Sequence, residues 1–198
     1  MTKSKQIVLA RVRENIDWVK TIKIPHILYT FEDMHNEYYI ENIGSEDGFY
    51  LQHILKNYNN LADITIFTQA NPFDHCKSFI GKLLTIEQTM DGGTGYLALS
   101  DLYGKFSKGG APHHPLNDLP LEHVFKRLFG EEIKCPEEFE TGLNGMFAVY
   151  KENILMRPPE FYSKVLEIRR ERPDRYNHIG CCIERLWHII FQKNVFGF

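Results

Sequence analysis

Residues 61–75 read LADITIFTQANPFDH, and the fold turns on how that stretch is understood. From Asp63 to Thr68 it carries Ile64, Ile66 and Phe67, with β-branched Thr65 and Thr68 between them. A short apolar run of this kind makes a buried strand. It leads not into a tight hairpin but into Gln69, Asn71, Asp74 and His75 around Pro72, side chains that coordinate, accept or donate. In open α/β sheets ligands sit outside the carboxyl ends of the strands, so a polar cluster there is the first place to look for chemistry. Asp74 has a second reading, as the N-cap of a helix carrying Phe79, Ile80, Leu83 and Leu84, and the two are compatible.

Upstream, Gln6–Val12 (QIVLARV) reads as a first strand buried on both faces, with Arg11, Arg13 and Glu14 at its carboxyl end. Asn15, Asp17 and Trp18 open a helical stretch through Lys20, and Pro25–Phe31 is a second strand. Asn42–Ser45 (NIGS) is a turn in which Ser45 can cap the next helix. There Leu51, Ile54, Leu55 and Tyr58 recur at helical spacing. Strand, helix, strand, helix, strand is the alternation of a parallel sheet with crossover helices.

Downstream the pattern loosens. Tyr96–Leu99 predicts a strand ending at Asp101, and residues 104–118 (GKFSKGGAPHHPLND) predict a mobile loop able to fold over a ligand. Within it His113 and His114 are metal-capable, although a solvated pair is the simpler expectation. Asp118 would cap a helix with Leu121, Val124, Phe125 and Leu128 on its apolar face, ended by Gly130. A Gly-rich approach leads to a strand over Met146–Tyr150, where glycine suggests close backbone approach to packing or to a ligand. A helix opens at Pro158 and Pro159. The last helix, about Cys181–Phe191, places Glu184 and His188 one turn apart, a solvated face or a paired site.

The totals set bounds. A chain of 198 residues fits a single domain, with a half of about 1–80 and a half of about 81–198. A net charge of −3 gives no sign of a nucleic-acid groove or a face for anionic membranes. The 13% aromatic share suits a carbohydrate or nucleotide pocket but fills cores more often. No segment has the length of a membrane span, and the N-terminal apolar run is too short for a signal peptide, so the expected location is cytoplasmic. Cys76, Cys135, Cys181 and Cys182 lack a metal-type spacing and suit a reducing compartment.

In order, Asn42-Ile43-Gly44-Ser45-Glu46-Asp47, Tyr50-Leu51, His53-Ile54, Asn57-Tyr58, Leu61, Thr65-Ile66-Phe67-Thr68-Gln69 and Pro72-Phe73-Asp74-His75 resemble an uncharacterised domain family. Its members read roughly N-G-E, YL-HI, NY-NL, TVF-Q, PFDH. Gly145-Met146-Phe147-Ala148-Val149, Ile154-Leu155, Phe161-Tyr162 and Glu184-Arg185-Leu186-Trp187-His188 resemble its later signatures. That family is similar to the GT-A nucleotide-sugar glycosyltransferases, and small domains of this kind also occur in glycosyltransferases of large algal DNA viruses.

The resemblance implies a GT-A-like (Rossmann-like) α/β fold with a mixed, mostly parallel sheet flanked by helices. It implies an enzyme that moves a sugar from a nucleotide diphosphate-sugar, UDP being the commonest nucleotide among GT-A relatives, to a glycan or other hydroxyl acceptor, with inversion and with a divalent metal, Mn²⁺ or Mg²⁺. Where GT-A enzymes carry Asp-x-Asp, this chain has Gln69-Ala70-Asn71-Pro72-Phe73-Asp74-His75. One carboxylate with a neighbouring His or Gln can still hold such an ion, or Arg11, Arg13 or a late His can neutralise the diphosphate instead. On this reading Asp74, His75 and His188 face the metal, while Arg11, Arg13, Asn42, Gly44, Glu46 and Gln69 face the nucleotide-sugar. Glu184 is the first candidate base and Asp101 the second. A non-catalytic sugar- or nucleotide-binding module, and a metal-dependent hydrolase using His75, His113 and His114, are the competing expectations.

Overall fold

Successive side chains of a strand point to opposite faces of its sheet, so a strand covered on both sides is apolar throughout. In the computed structural model, which describes residues 2–10, 14–32, 34–90, 93–108, 119–171 and 178–192, that is the state of β1 (Lys5–Ala10) and β3 (Ile64–Gln69). Ile7, Leu9, Ile64 and Ile66 belong to one core, and Val8, Ala10 and Phe67 to the other.

The main sheet has the order β2-β1-β3-β7-β4, with β2 at His26–Tyr29, β4 at Tyr96–Ala98 and β7 at Phe147–Tyr150. β1 pairs in parallel with β2 on one side and β3 on the other, whereas β7 runs antiparallel to both β3 and β4. The alternation expected from the first 75 residues holds, and the sheet is mixed and mostly parallel. The chain passes from β1 to β2 on one side and then crosses back to β3 on the other. The carboxyl ends of β1 and β3 therefore form the topological switch point at which α/β sheets open a crevice.

One face of the sheet is covered by α1 (Glu46–Asn57), α4 (Leu121–Phe129), α6 (Pro159–Arg170) and α7 (His178–Ile190). The other carries α2 (Phe79–Leu84), α3 (Ile86–Met90) and the 3-10 turn Asp17–Thr21, with α5 (Lys151–Ile154) following β7 directly. Phe147 is the hub of the larger core, with ring centroids 5.1 Å from Phe67, 5.3 Å from Tyr96 and 5.3 Å from Trp187. The aromatic surplus goes mainly into packing here. His53 is fully buried in the same core, where its Nδ1 meets the Tyr29 hydroxyl at 2.9 Å and burial lowers its pKa to about 4, keeping the ring neutral.

Four expectations need correction. Residues 103–107 are a strand, β5 (Tyr103–Ser107), paired antiparallel with β6 (Glu138–Gly142), so the loop expected from 104 begins later; residues 109–118, with His113, His114 and Asp118, lie outside the described residues. The helix after the first strand is a 3-10 turn, held by Trp18 Nε1 donating to the Ala70 carbonyl at 2.7 Å. Asp74 does not cap α2, whose N-cap is Ser78; Asp74 ends a separate 3-10 turn, Pro72–Asp74, and accepts a bond from Asn71 Nδ2 at 2.8 Å. Ser45 holds the N-cap position of α1, but its hydroxyl makes no cap bond. It donates instead to Asp47 Oδ1 at 2.7 Å, because a charged acceptor competes well for a hydroxyl donor. Among the described residues, no helix is long and apolar enough to cross a membrane.

Candidate functional site

Gly44 has φ 114, a conformation glycine adopts without strain, and its N–H donates to Asn42 Oδ1 at 3.2 Å. This turn starts α1 beside the switch point and delivers Glu46 and Asp47, in the first turn of the helix, to the carboxyl end of β3. Asn42 itself is exposed. Gln69, the last residue of β3, reaches across through Nε2 to Glu46 Oε1 at 3.4 Å and to the Asn144 carbonyl at 3.2 Å.

Asn144 and Gly145 both have positive φ, 68 and 57, and form the tight entry to β7. The Asn144 side chain donates to Ser100 Oγ at 3.3 Å, tying the turn to the end of β4. Its backbone N–H bonds to the Glu184 carboxylate from the other side. A Cβ on Gly145 would stand 2.9 Å from Glu46 Oε1. One turn therefore touches two carboxyl groups from distant parts of the chain, Glu46 on α1 and Glu184 on α7.

Adjacent carboxylates meet different fates. Asp47 is buried and ion-paired with buried Arg169, Nε to Oδ2 at 2.6 Å, and Arg169 Nη2 also donates to Ser45 Oγ at 3.3 Å. Glu46 has Gln69 and, among the described residues, no such cation. Burial first, then the charges of Glu184 and Asp47, push its pKa from 4.5 up to about 7. Glu184, its side chain 22% exposed, is also raised by burial, against the pull of Arg185 at 3.9 Å. Arg185 is occupied elsewhere, donating to the Cys181 carbonyl at 2.7 Å with its guanidinium 4.7 Å from the Phe106 ring centroid. Tyr50, one turn after Glu46 on α1, and Tyr96, which shares a hydrogen bond with Thr141, complete the surroundings. Two carboxyls with elevated pKa values face one turn here, and Glu46, at about 7, can accept and release a proton near neutrality.

The structure thus brings together three of the residues expected from sequence, Glu46, Gln69 and Glu184. Gly44 and Asn42 shape the approach, and Arg11 and Arg13 lie outside the described residues. Asp101 is placed differently. Its carboxylate takes Lys82 Nζ at 2.8 Å and the Lys77 N–H at 3.0 Å, and the Lys82 bond lowers its pKa, so it serves as a fastening between loops.

Asp74 is exposed on its 3-10 turn. His75 offers its backbone carbonyl to the Asp101 N–H at 2.9 Å, and His188 is buried on α7, where loss of solvent lowers its pKa to about 4. No group of three or more His, Cys, Asp or Glu able to hold a metal occurs among the described residues. Asp74, His75 and His188 are thus not gathered into one ligand set among the described residues.

Sequence reading did not find Asp47, Arg169, Tyr50 or Asn144 as parts of the site. Asn144-Gly145, a turn-forming dipeptide before a strand, was the one local signal available.

A family model described as "Protein of unknown function (DUF3431)" matches residues 7–83 and 105–196, and the chain belongs to that family. The matched stretches contain Glu46, Gln69, Asn144 and Glu184; Asp101 falls between them. No curated protein and no solved structure gives a significant match.

Proposed function

We propose that this domain is a GT-A-like glycosyltransferase that moves a sugar from a nucleotide diphosphate-sugar, UDP by preference, to a hydroxyl acceptor. The observation that carries the reading is Glu184: a mostly buried carboxylate, held by the Asn144 N–H and facing Glu46, beside the carboxyl ends of the parallel strands. The order of elements supports it too. A strand–helix–strand half is followed by a strand ending in polar residues, then a Gly-Met-Phe strand, then a helix bearing a carboxylate.

In the proposed step Glu184 takes the proton of the acceptor hydroxyl as its oxygen forms the new bond to the anomeric carbon. The bond from that carbon to the diphosphate oxygen breaks, and its electron pair leaves with the nucleoside diphosphate. Glu184 suits this role because burial raises its pKa toward the working pH, which is what a general base needs. Its neighbour Glu46 keeps its own proton up to about pH 7. Attack from the side opposite the leaving group, with an enzyme carboxylate as base, gives inversion.

The test is nucleotide release from a panel of UDP- and GDP-sugars, with and without hydroxyl acceptors, in Mn²⁺ and in EDTA. Release that needs both donor and acceptor, and falls by about 10²- to 10⁴-fold in Glu184→Gln, supports transfer. Release without any acceptor points to a hydrolase. Full activity in Glu184→Gln removes the reading.

A further inference from the structure

Apolar surface left in water forfeits the free energy its burial would supply, and a concave apolar surface is where a small ligand can recover it. The described residues form such a surface away from the carboxylate pair. A cleft of about 490 Å³ lies between α2 and the segment that joins the 3-10 turn Asp17–Thr21 to β2. Ile22 and Ile24 form one wall, and Ile80, Leu83 and Leu84 the other. Leu83 belongs to the core, but Ile80 and Leu84, four residues apart, share a face of α2 that the core leaves uncovered. Leu84 is 74% exposed, and Ile22, Ile24 and Ile80 are only partly buried.

The charge of the lining has one sign. Lys5 and Lys23 contribute to it, and no Asp or Glu does. Lys5 is ion-paired with Glu87 on α3, which stands outside the lining. Lys23 is exposed, with no carboxylate in ion-pair reach among the described residues. An alkyl ammonium would meet two like charges here, and a compact anion such as phosphate would leave the isoleucines and leucines in water. An alkyl chain that ends in a carboxylate satisfies both parts of the lining.

The cleft is at the amino end of the sheet. Lys5 is the first residue of β1 and is in register with Ile64, whereas Gln69 lies five residues further along β3. At roughly 3.3 Å per residue the two ends are about 17 Å apart. This site is therefore separate from the Glu46–Glu184 crevice and does not rest on the transfer reading.

We propose that this cleft binds a free medium-chain carboxylate, its alkyl chain against Ile22, Ile24, Ile80 and Leu84 and its head drawn to the two lysines. The experiment is calorimetric titration of the purified chain with hexanoate, octanoate, decanoate, decanol and decyltrimethylammonium, all below micelle-forming concentrations. Phosphatidylglycerol vesicles, tested by co-sedimentation, separate a free carboxylate from a lipid surface. Methyl-labelled Ile and Leu report where the ligand sits.

Decanoate is expected to bind one to one and to shift the methyl signals of Ile22, Ile24, Ile80 and Leu84. Its Kd should be lower than that of octanoate by up to about fourfold per methylene, with decanol and the ammonium weaker. Leu84→Asp, at an exposed position, should raise the Kd on the order of tenfold, and Lys23→Gln by about two- to fivefold. If Leu84→Asp does not fold, the methyl shifts and Lys23→Gln decide. No binding of decanoate, affinity independent of chain length, equal binding of decanol or the ammonium, or methyl shifts elsewhere overturns the proposal. So does binding to vesicles without a response to free decanoate.

Discussion

Arg169 donates through Nε to Asp47 Oδ2 at 2.6 Å, and the two side chains are 1% and 4% exposed. This pair joins the end of α6 to the start of α1 and decides which of two adjacent carboxylates is neutralised. Asp47 takes the arginine, and Glu46 is left to face Glu184.

Removing the arginine leaves Asp47 buried without its counter-charge. Arg169→Met is expected to cost about 3–5 kcal/mol, the range for breaking a buried pair. Replacing both partners, as in Asp47→Asn with Arg169→Met, should recover a large part of that loss. Urea denaturation of the two single variants and the double variant measures the coupling, and additive losses would refute it.

Glu46 gives stability an unusual pH dependence. Its carboxyl rises from 4.5 in the free chain to about 7 in the fold, so the folded state holds a proton that the unfolded chain has released. Stability therefore falls as pH rises between those values and stays lower above them. At about 1.4 kcal/mol per unit, the full effect is on the order of 3 kcal/mol. Glu46→Gln removes the penalty. It should match the wild type at about pH 4 and be the more stable protein at about pH 8, as read from denaturation midpoints.

Gly145 sits where any side chain meets Glu46. Its φ is 57, and a Cβ at this position would lie only 2.9 Å from Glu46 Oε1. Gly145→Ala therefore holds an L-residue in left-handed backbone and must also push the carboxylate aside. The backbone part alone is about 1 kcal/mol. The variant is expected to fold with lower stability and to lose nucleotide-sugar transfer by more than its loss of stability explains. Activity per folded molecule is the measurement, and an unchanged value would mean that the position of Glu46 is immaterial.

Much of the sheet was legible because it is written locally. Residues 7–10, IVLA, are apolar at consecutive positions, and ITIF sets Ile64, Ile66 and Phe67 around β-branched Thr65, patterns that suit strands buried on both faces. Glu184 was legible through the family resemblance, as the carboxylate one helix after the Gly-Met-Phe strand. Other features depend on distant residues. The capping reading of Asp74 failed because Pro72 starts a separate turn before Ser78 opens α2. The β5–β6 pair was hidden because neither YGKFS nor EFETG carries a long apolar run. Asp47 and Arg169 lie 122 residues apart, and no spacing rule joins them.

In the sequence Glu184 ranks ahead of Asp101 as candidate base, and the structure separates them by what surrounds each carboxyl. Asp101 is about half exposed, takes Lys82 Nζ and the Lys77 N–H, and has its pKa lowered chiefly by Lys82; a carboxylate so held is a weak base. Glu184 has the Asn144 N–H as donor, a cation 3.9 Å away and a raised pKa. On the proposed transfer reading, the proton-accepting role falls to Glu184 rather than Asp101. Asp101→Asn should leave sugar transfer within about threefold of wild type, because no reacting group depends on it, while Glu184→Gln should lose about 10²-fold or more. Measuring kcat for both against one donor–acceptor pair decides the matter. A large loss in Asp101→Asn with Glu184→Gln active would move the base to the β4 end and undo the assignment.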